Sequence, residues 1–217
     1  MEQISNINDT LSERQKSVLD VALDLLVTGD GHFTMARVAR EANCSKETLY
    51  KWFGDREGFL DAMVQWQASR VRVVPLKRDG IDYQTLFSSL EHFARDWLMV
   101  LSGEKSIALN RLAIGDAIKE QSNLGYIVLQ NGPFSMAKRL LPVLELGKET
   151  GILQFENTQE TFRVFFGLVV RDVQIRLLLG DKMTMDDSTI IREARSATRQ
   201  FFALYGVKDF NKMKTHS

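Results

Sequence analysis

The sequence predicts an all-α chain, and three observations carry that expectation. Apolar residues recur at helical spacing along most of its length, with no strand-like alternation joined by hairpin turns. Prolines stand only at 75, 133 and 142, which leaves room for long helices. Residues that cap helix starts precede several apolar runs, and glycines follow several of them. No fixed-period repeat or low-complexity tract is visible.

The first helix is announced by Ser12 and Gln15 at capping-box spacing, with Val18, Ala22, Leu25 and Leu26 along one face and Gly29 and Gly31 as its stop. Thr34 is placed to cap a second, short helix whose inward residues are Met35, Val38, Ala39 and Ala42. Asn43 can take the left-handed conformation after it, less readily than glycine would. Ser45 caps a third helix reaching about Phe53, and Asp55 a fourth running to about Val73. Beyond Pro75, helices are expected over roughly 82–101, 105–120, 122–149, 158–179 and 188–205, with ends good to about ±2–4 residues. Pro133 and Pro142 are expected to kink or divide the third of these, and Gly151, Gly180 and Gly206 to stop helices.

A chain of 217 residues can bury a sizeable core. Its 44% hydrophobic and 26% charged residues are an ordinary globular balance. The apolar run Val164–Val170 lies between Arg163 and Arg171 and is far too short to span a bilayer. The first ten residues lack the basic and apolar regions of a signal peptide. The single cysteine, Cys44, leaves no intrachain disulfide and suits a reducing cytoplasm. Basic and acidic residues balance at 28 each, and residues 1–70 hold 8 basic against 11 acidic side chains. Bulk charge therefore does not attract nucleic acid, and any DNA contact must come from placed residues.

Residues 46–53 show such placement. At about 100° per residue, Leu49, Trp52 and Phe53 share one side of the helix, and Lys46, Glu47, Thr48, Tyr50 and Lys51 the other. One face packs on the preceding helix, where Ala39 permits close approach, and the other is presented outward. Two short helices joined by a tight turn and exposed in this way form a helix-turn-helix. In a major groove Lys46 reaches guanine acceptors, Glu47 accepts from cytosine, and the Thr48 methyl meets a thymine methyl. Tyr50 and Lys51 suit phosphate oxygens. Arg37 adds a cation to residues 34–56. Arg56 opposes the macrodipole at the start of the fourth helix, unless a phosphate shares that helix start with it or it is simply solvated.

The segment "FTMARVAREANCSKETLYKWFGDREGFLDAMV", Phe33 to Val64, resembles the DNA-binding domain of the TetR family of bacterial regulators. The likeness covers about residues 12–70 and rests on the combined spacing of Thr34, Ala39, Ala42, Ser45, Leu49, Tyr50, Phe53 and Leu60. It implies an all-helical homodimer with an N-terminal three-helix helix-turn-helix domain, followed by a helical ligand-binding and dimerisation domain. The boundary is expected at 70/71. The family's contact positions fall on Thr34, Lys46, Thr48, Tyr50, Lys51, Trp52 and Arg56; Arg37, Ser45 and Glu47 complete the candidate DNA-binding set. Asn43 departs from the usual turn glycine, and Glu47 stands where small residues are common. Trp52 also suits the edge of the core, and Cys44 suits packing better than redox sensing.

The segment Thr161 to Gly180 is apolar around most of its circumference. Phe162, Phe165, Phe166, Val169 and Val173 form one stripe, and Leu168, Ile175, Leu178 and Leu179 extend it. In the last helix Ala194, Ala197 and Phe201 run in step, with small residues that allow close approach. Residues about 158–205 therefore suit a dimer interface, with a large monomeric core as the alternative. Residues 82–149 carry groups suited either to a pocket or to core, among them Phe87, Met99 and Met136. Phe93, Trp97, Tyr126 and Phe134 are the candidate ligand-binding set. His32, His92 and His216 lack metal-ligand spacing, so neither a metal nor a cofactor is expected. No glycine-rich phosphate loop, HExxH or G-x-S-x-G element points to an enzyme. The expected function is a cytoplasmic repressor, released from a palindromic operator by a small apolar ligand. An activator of the same fold, or a protein-interaction module without a ligand switch, stands as the alternative.

Overall fold

A computed structural model describes residues 10–28, 33–117 and 123–207. The expected stops at Gly29 and Gly31, the histidines at 32 and 216, and residues 118–120 and 122 of the expected helices lie outside the described residues. The described residues form eleven helices and no strand. These are α1 (Glu13–Val27), α2 (Met35–Glu41), α3 (Lys46–Phe53), α4 (Arg56–Ala68), α5 (Tyr83–Ser102), α6 (Glu104–Asp116), α7 (Leu124–Asn131), α8 (Pro133–Glu149), α9 (Thr158–Val170), α10 (Val173–Leu178) and α11 (Asp187–Tyr205).

The local signals set the helix starts. Ser12 and Gln15 form a reciprocal capping box at α1. The side chains of Thr34, Ser45 and Asp55 accept backbone N–H groups of α2, α3 and α4, as their spacing predicts. Asn43 has φ 49°, the left-handed turn conformation. The expected helix over 122–149 is divided at Gly132, and Pro133 opens α8, where its missing N–H costs nothing. Pro142 lies inside α8 and does not divide it. Helix α4 ends at Ala68, earlier than expected.

The chain forms two compact units that part at the expected 70/71 boundary, but Gly103–Phe134 falls with the first of them. The first comprises residues 1–70 together with 103–134, so α6 and α7 pack with α1 and α4. Its core contains Leu19, Leu23, Val38, Leu49, Phe59, Leu60 and Met63 together with Leu109, Ala113, Leu124 and Ile127. Full burial of each large side chain contributes about 1.5–3 kcal/mol, which is why these six helices cohere. Asp20 on α1 adds polar ties, accepting from Trp66 Nε1 at 3.1 Å and Arg70 Nη2 at 2.5 Å, with Lys105 Nζ at 3.7 Å.

The second unit comprises residues 71–102 and 135–217 and is organised on α5. Helix α11 packs along α5, with α9 against both. Phe93, Phe165 and Phe201 are fully buried. One helix over 158–179 is not what forms: the backbone turns at Arg171, with φ 42°, and separates α9 from α10. Tertiary contacts hold this break, because Arg171 pairs with Glu193 of α11, and α10 packs on α5 with Val173 in the core. Ala194, Ala197 and Phe201 of α11 are buried in the core of this unit. Ile175, Leu179, Ile191 and Leu204 are the large apolar residues left exposed between 158 and 205.

Candidate nucleic-acid interface

The interface is assembled from α2, the turn at Ala42–Ser45, and α3. Leu49 is the residue of α3 that is fully buried, and Trp52 and Phe53 are half-buried against the same core. Phe53 meets Phe59 of α4 edge-on at 5.1 Å, and Phe59 in turn stacks with Phe33 at 6.4 Å. The end of α3 is thereby seated on α4. Gly58 permits that seat, because a Cβ there would stand 2.1 Å from the Phe53 carbonyl oxygen.

The turn is held from α1. Arg14 Nη2 donates to the carbonyl oxygens of Ala42 at 2.5 Å and Asn43 at 3.1 Å, satisfying acceptors that the end of α2 leaves free. Sequence reasoning missed Arg14. It lies 28 residues from its partner, and no local pattern signals such a contact.

On the outer side, Lys46, Glu47, Tyr50 and Lys51 are exposed, with Thr48 partly covered. Ser45 Oγ accepts from Thr48 N at 3.1 Å and lies 3.1 Å from Thr48 Oγ1, so cap and methyl-bearing side chain are fixed together. Thr34 Oγ1 accepts from Arg37 N at 3.2 Å, with Thr34 exposed and Arg37 half-buried. The Glu47 carboxyl is held below the usual carboxylate range by its own backbone N–H, then by the Ser45 hydroxyl, with Lys46 adding attraction. It is an anion at neutral pH, sitting where the N-terminal end of α3 favours negative charge. Arg56 is exposed at the first residue of α4. Cys44 is half-buried and packs against the core, which fits its structural reading.

The candidate ligand set is not gathered in the same way. Phe93 and Trp97 meet at 5.4 Å inside the second unit, where Trp97 also faces Phe162 at 6.2 Å and Phe166 at 5.2 Å. Tyr126 and Phe134 belong to the other unit and are exposed. Met99 is exposed, and Phe87 and Met136 are core residues. His92 is exposed and lies against the Ser88 carbonyl at 2.6 Å, within its own helix. Among the described residues, no group of His, Cys, Asp and Glu is arranged to hold a metal, and no helix is long and apolar enough to cross a membrane.

A polar second helix, presented outward from a buried base by a capped turn, defines a helix-turn-helix DNA-binding protein. Residues 18–63 match the family profile of bacterial regulatory proteins of the tetR family, and residues 88–207 match that of the AefR-like transcriptional repressor C-terminal domain. The chain belongs to the TetR family of transcriptional regulators. It is 43% identical to a TetR transcriptional regulator from Agrobacterium tumefaciens. That crystal structure covers 93% of this chain and 99% of its own, with a TM-score of 0.78. The uncharacterized HTH-type transcriptional regulator YvkB of Bacillus subtilis (strain 168) is 26% identical over 169 residues, 77% of this chain and 85% of YvkB. The flavonoid-responsive regulator FrrA shares the fold at 22% identity, covering 90% of this chain and 98% of FrrA, with a TM-score of 0.64.

Proposed function

We propose that this TetR-family regulator is a cytoplasmic repressor. It holds a palindromic operator as a homodimer through residues about 158–205 and leaves it when a small, mostly apolar molecule binds. The observation that carries the ligand reading is the aromatic cluster of Phe93, Trp97, Phe162 and Phe166 in the second unit. Stacked and edge-on rings of this kind suit a flat or extended apolar guest. FrrA, of similar fold, responds to flavonoids, and the match of residues 88–207 to a repressor's C-terminal domain supports the sign of regulation. The exposed Ile175, Leu179, Ile191 and Leu204 support the interface assignment. Thr34, Arg37, Ser45, Lys46, Glu47, Thr48, Tyr50, Lys51 and Arg56 form the DNA-facing set, with Trp52 at its buried edge.

The ligand must bind the DNA-incompetent state better, and a coupling of roughly 1–3 kcal/mol corresponds to about 5–150-fold weaker operator binding. Reciprocity requires the operator to weaken ligand binding by the same factor. An operator enriched from random DNA, and a panel of flavonoids and fatty acids titrated calorimetrically with and without it, tests this. A compound that binds with equal affinity in both titrations would leave a pocket without a switch. Sedimentation showing only monomer at micromolar concentration would remove the dimer.

A further inference from the structure

We infer that α7 is part of the DNA-binding machinery, and that Asn123 and Asn131 are positioning residues that set the placement of α4 and, through it, of α3 and Arg56. The inference rests on family-level DNA binding and is independent of the proposed ligand switch.

The first observation is the composition of the first unit. Leu124 and Ile127 of α7 are buried in the same core as Leu60, Met63 and Val64 of α4, with Val128 partly buried against it. Such contacts are non-directional and hold two helices together without fixing how one slides along the other. The second observation is the pair of polar ties along the α4–α7 contact. Asn123 Nδ2 donates to both carboxylate oxygens of Glu57, each at 3.2 Å. Asn131 Nδ2 donates to Asp61 Oδ1 at 2.7 Å, while Asp61 Oδ2 accepts from Gln65 at 2.7 Å. Bonds to an ionised acceptor are stronger and more directional than neutral ones, so two of them, one turn apart on α4, define its register against α7.

The position of that register on α4 gives it functional reach. Glu57 follows Arg56 directly and precedes Gly58, the residue against which the Phe53 carbonyl closes. Asp55, capping the same turn, accepts from Gly58 N at 2.7 Å. The start of α4 is therefore joined to the end of α3 on one side and to α7 on the other. Displacement of α7 along α4 moves Arg56 and the seat of Phe53 together. Asn123 and Asn131 lie more than sixty residues after their partners in sequence, so the helix-turn-helix by itself does not contain these determinants.

The test uses the full chain and an operator duplex selected from random DNA by the wild-type protein. Asn131→Asp puts a second carboxylate, which can only accept, against Asp61. Asn123→Ala removes the other tie at the exposed rim without changing charge, and keeps the test available should Asn131→Asp fail to fold. Each folded variant is expected to bind the operator roughly tenfold more weakly, the scale of one hydrogen bond to a charged group. Non-specific affinity is expected to fall less than operator affinity, because one displaced phosphate anchor is shared by both while the base contacts of α3 belong to the operator alone. The double exchange Asp61→Asn/Asn131→Asp restores an amide facing a carboxylate, though not the bond from Asn131 Nδ2 to the Ile127 carbonyl at 3.0 Å, and is expected to recover operator affinity in part. A purely stabilising role would lower the melting temperature and leave the affinity of the folded protein unchanged. Operator affinity within twofold of wild type in the folded single variants, or a folded double exchange that recovers none of it, would overturn the inference.

Discussion

Replacing Gly58 by alanine sets two effects of known sign against each other. The backbone of Gly58 needs no positive φ, and alanine in a helix is favoured over glycine by about 1 kcal/mol. Propensity alone therefore predicts a more stable protein. The added Cβ, however, would lie 2.1 Å from the Phe53 carbonyl oxygen, about 1 Å inside the closest approach of real Cβ atoms. The obstructing atom is backbone at the C-terminal end of α3, so no side-chain rotation relieves it. Either α3 or the first turn of α4 must move, and overpacking of this kind costs about 1–3 kcal/mol. The net expectation is a destabilisation of about 1 kcal/mol, a fall in Tm of about 2–4 °C for a chain of this size. Operator binding should fall more than non-specific binding, because a shift of α3 disturbs base contacts worth about 1–3 kcal/mol each. Calorimetric melts and fluorescence anisotropy on operator and scrambled duplexes measure both quantities. Gly115→Ala in α6 is the control: its Cβ would meet nothing within 4 Å, so it should raise Tm. A Gly58→Ala protein that melts above wild type and binds operator normally would refute the close-approach argument.

Lys46→Ala and Thr48→Ala are expected to alter base preference, at about 1–3 kcal/mol for a matched site. Lys51→Ala and Arg56→Ala should instead weaken binding to all sequences and flatten the salt dependence. Redirected base preference in Lys51→Ala, with an unchanged salt slope, would reverse these assignments. Asp186 caps α11, and its carboxyl is held below its usual 3.8, chiefly by the Thr189 backbone N–H, with the Thr189 and Ser188 hydroxyls adding to it. A depressed folded pKa stabilises above the unfolded value, and that contribution is lost as pH falls through the folded one. Asp186→Asn should therefore shallow the fall of Tm as the pH drops through and below the usual carboxylate value. An identical pH profile in both proteins would show that the cap carries no such linkage.

The features legible in the sequence share a physical origin: each is settled within about one helical turn. The Ser12–Gln15 box and the caps at Thr34, Ser45 and Asp55 are contacts between a side chain and a backbone group three residues on. The wheel of α3 likewise needed only the spacing of Leu49, Trp52 and Phe53 to separate a buried from an exposed face. The exposure of Lys46, Glu47, Tyr50 and Lys51 was readable for that reason. What tertiary structure alone decided lies where distant faces compete. The apolar residues of α6 and α7 do not say which core they join, and they join α1 and α4. Phe93 and Trp97 meet in one cluster while Tyr126 and Phe134 fall to the other unit, although all four have similar chemistry. The break at Arg171 falls where the helical periodicity carries on from Val169 to Val173, and it is held by Glu193 and by α5, partners that no local spacing reveals. Arg14, Asn123 and Asn131 complete the set for the same reason. Their bonds close loops of 28, 66 and 70 residues, and only the packed helices bring those ends together.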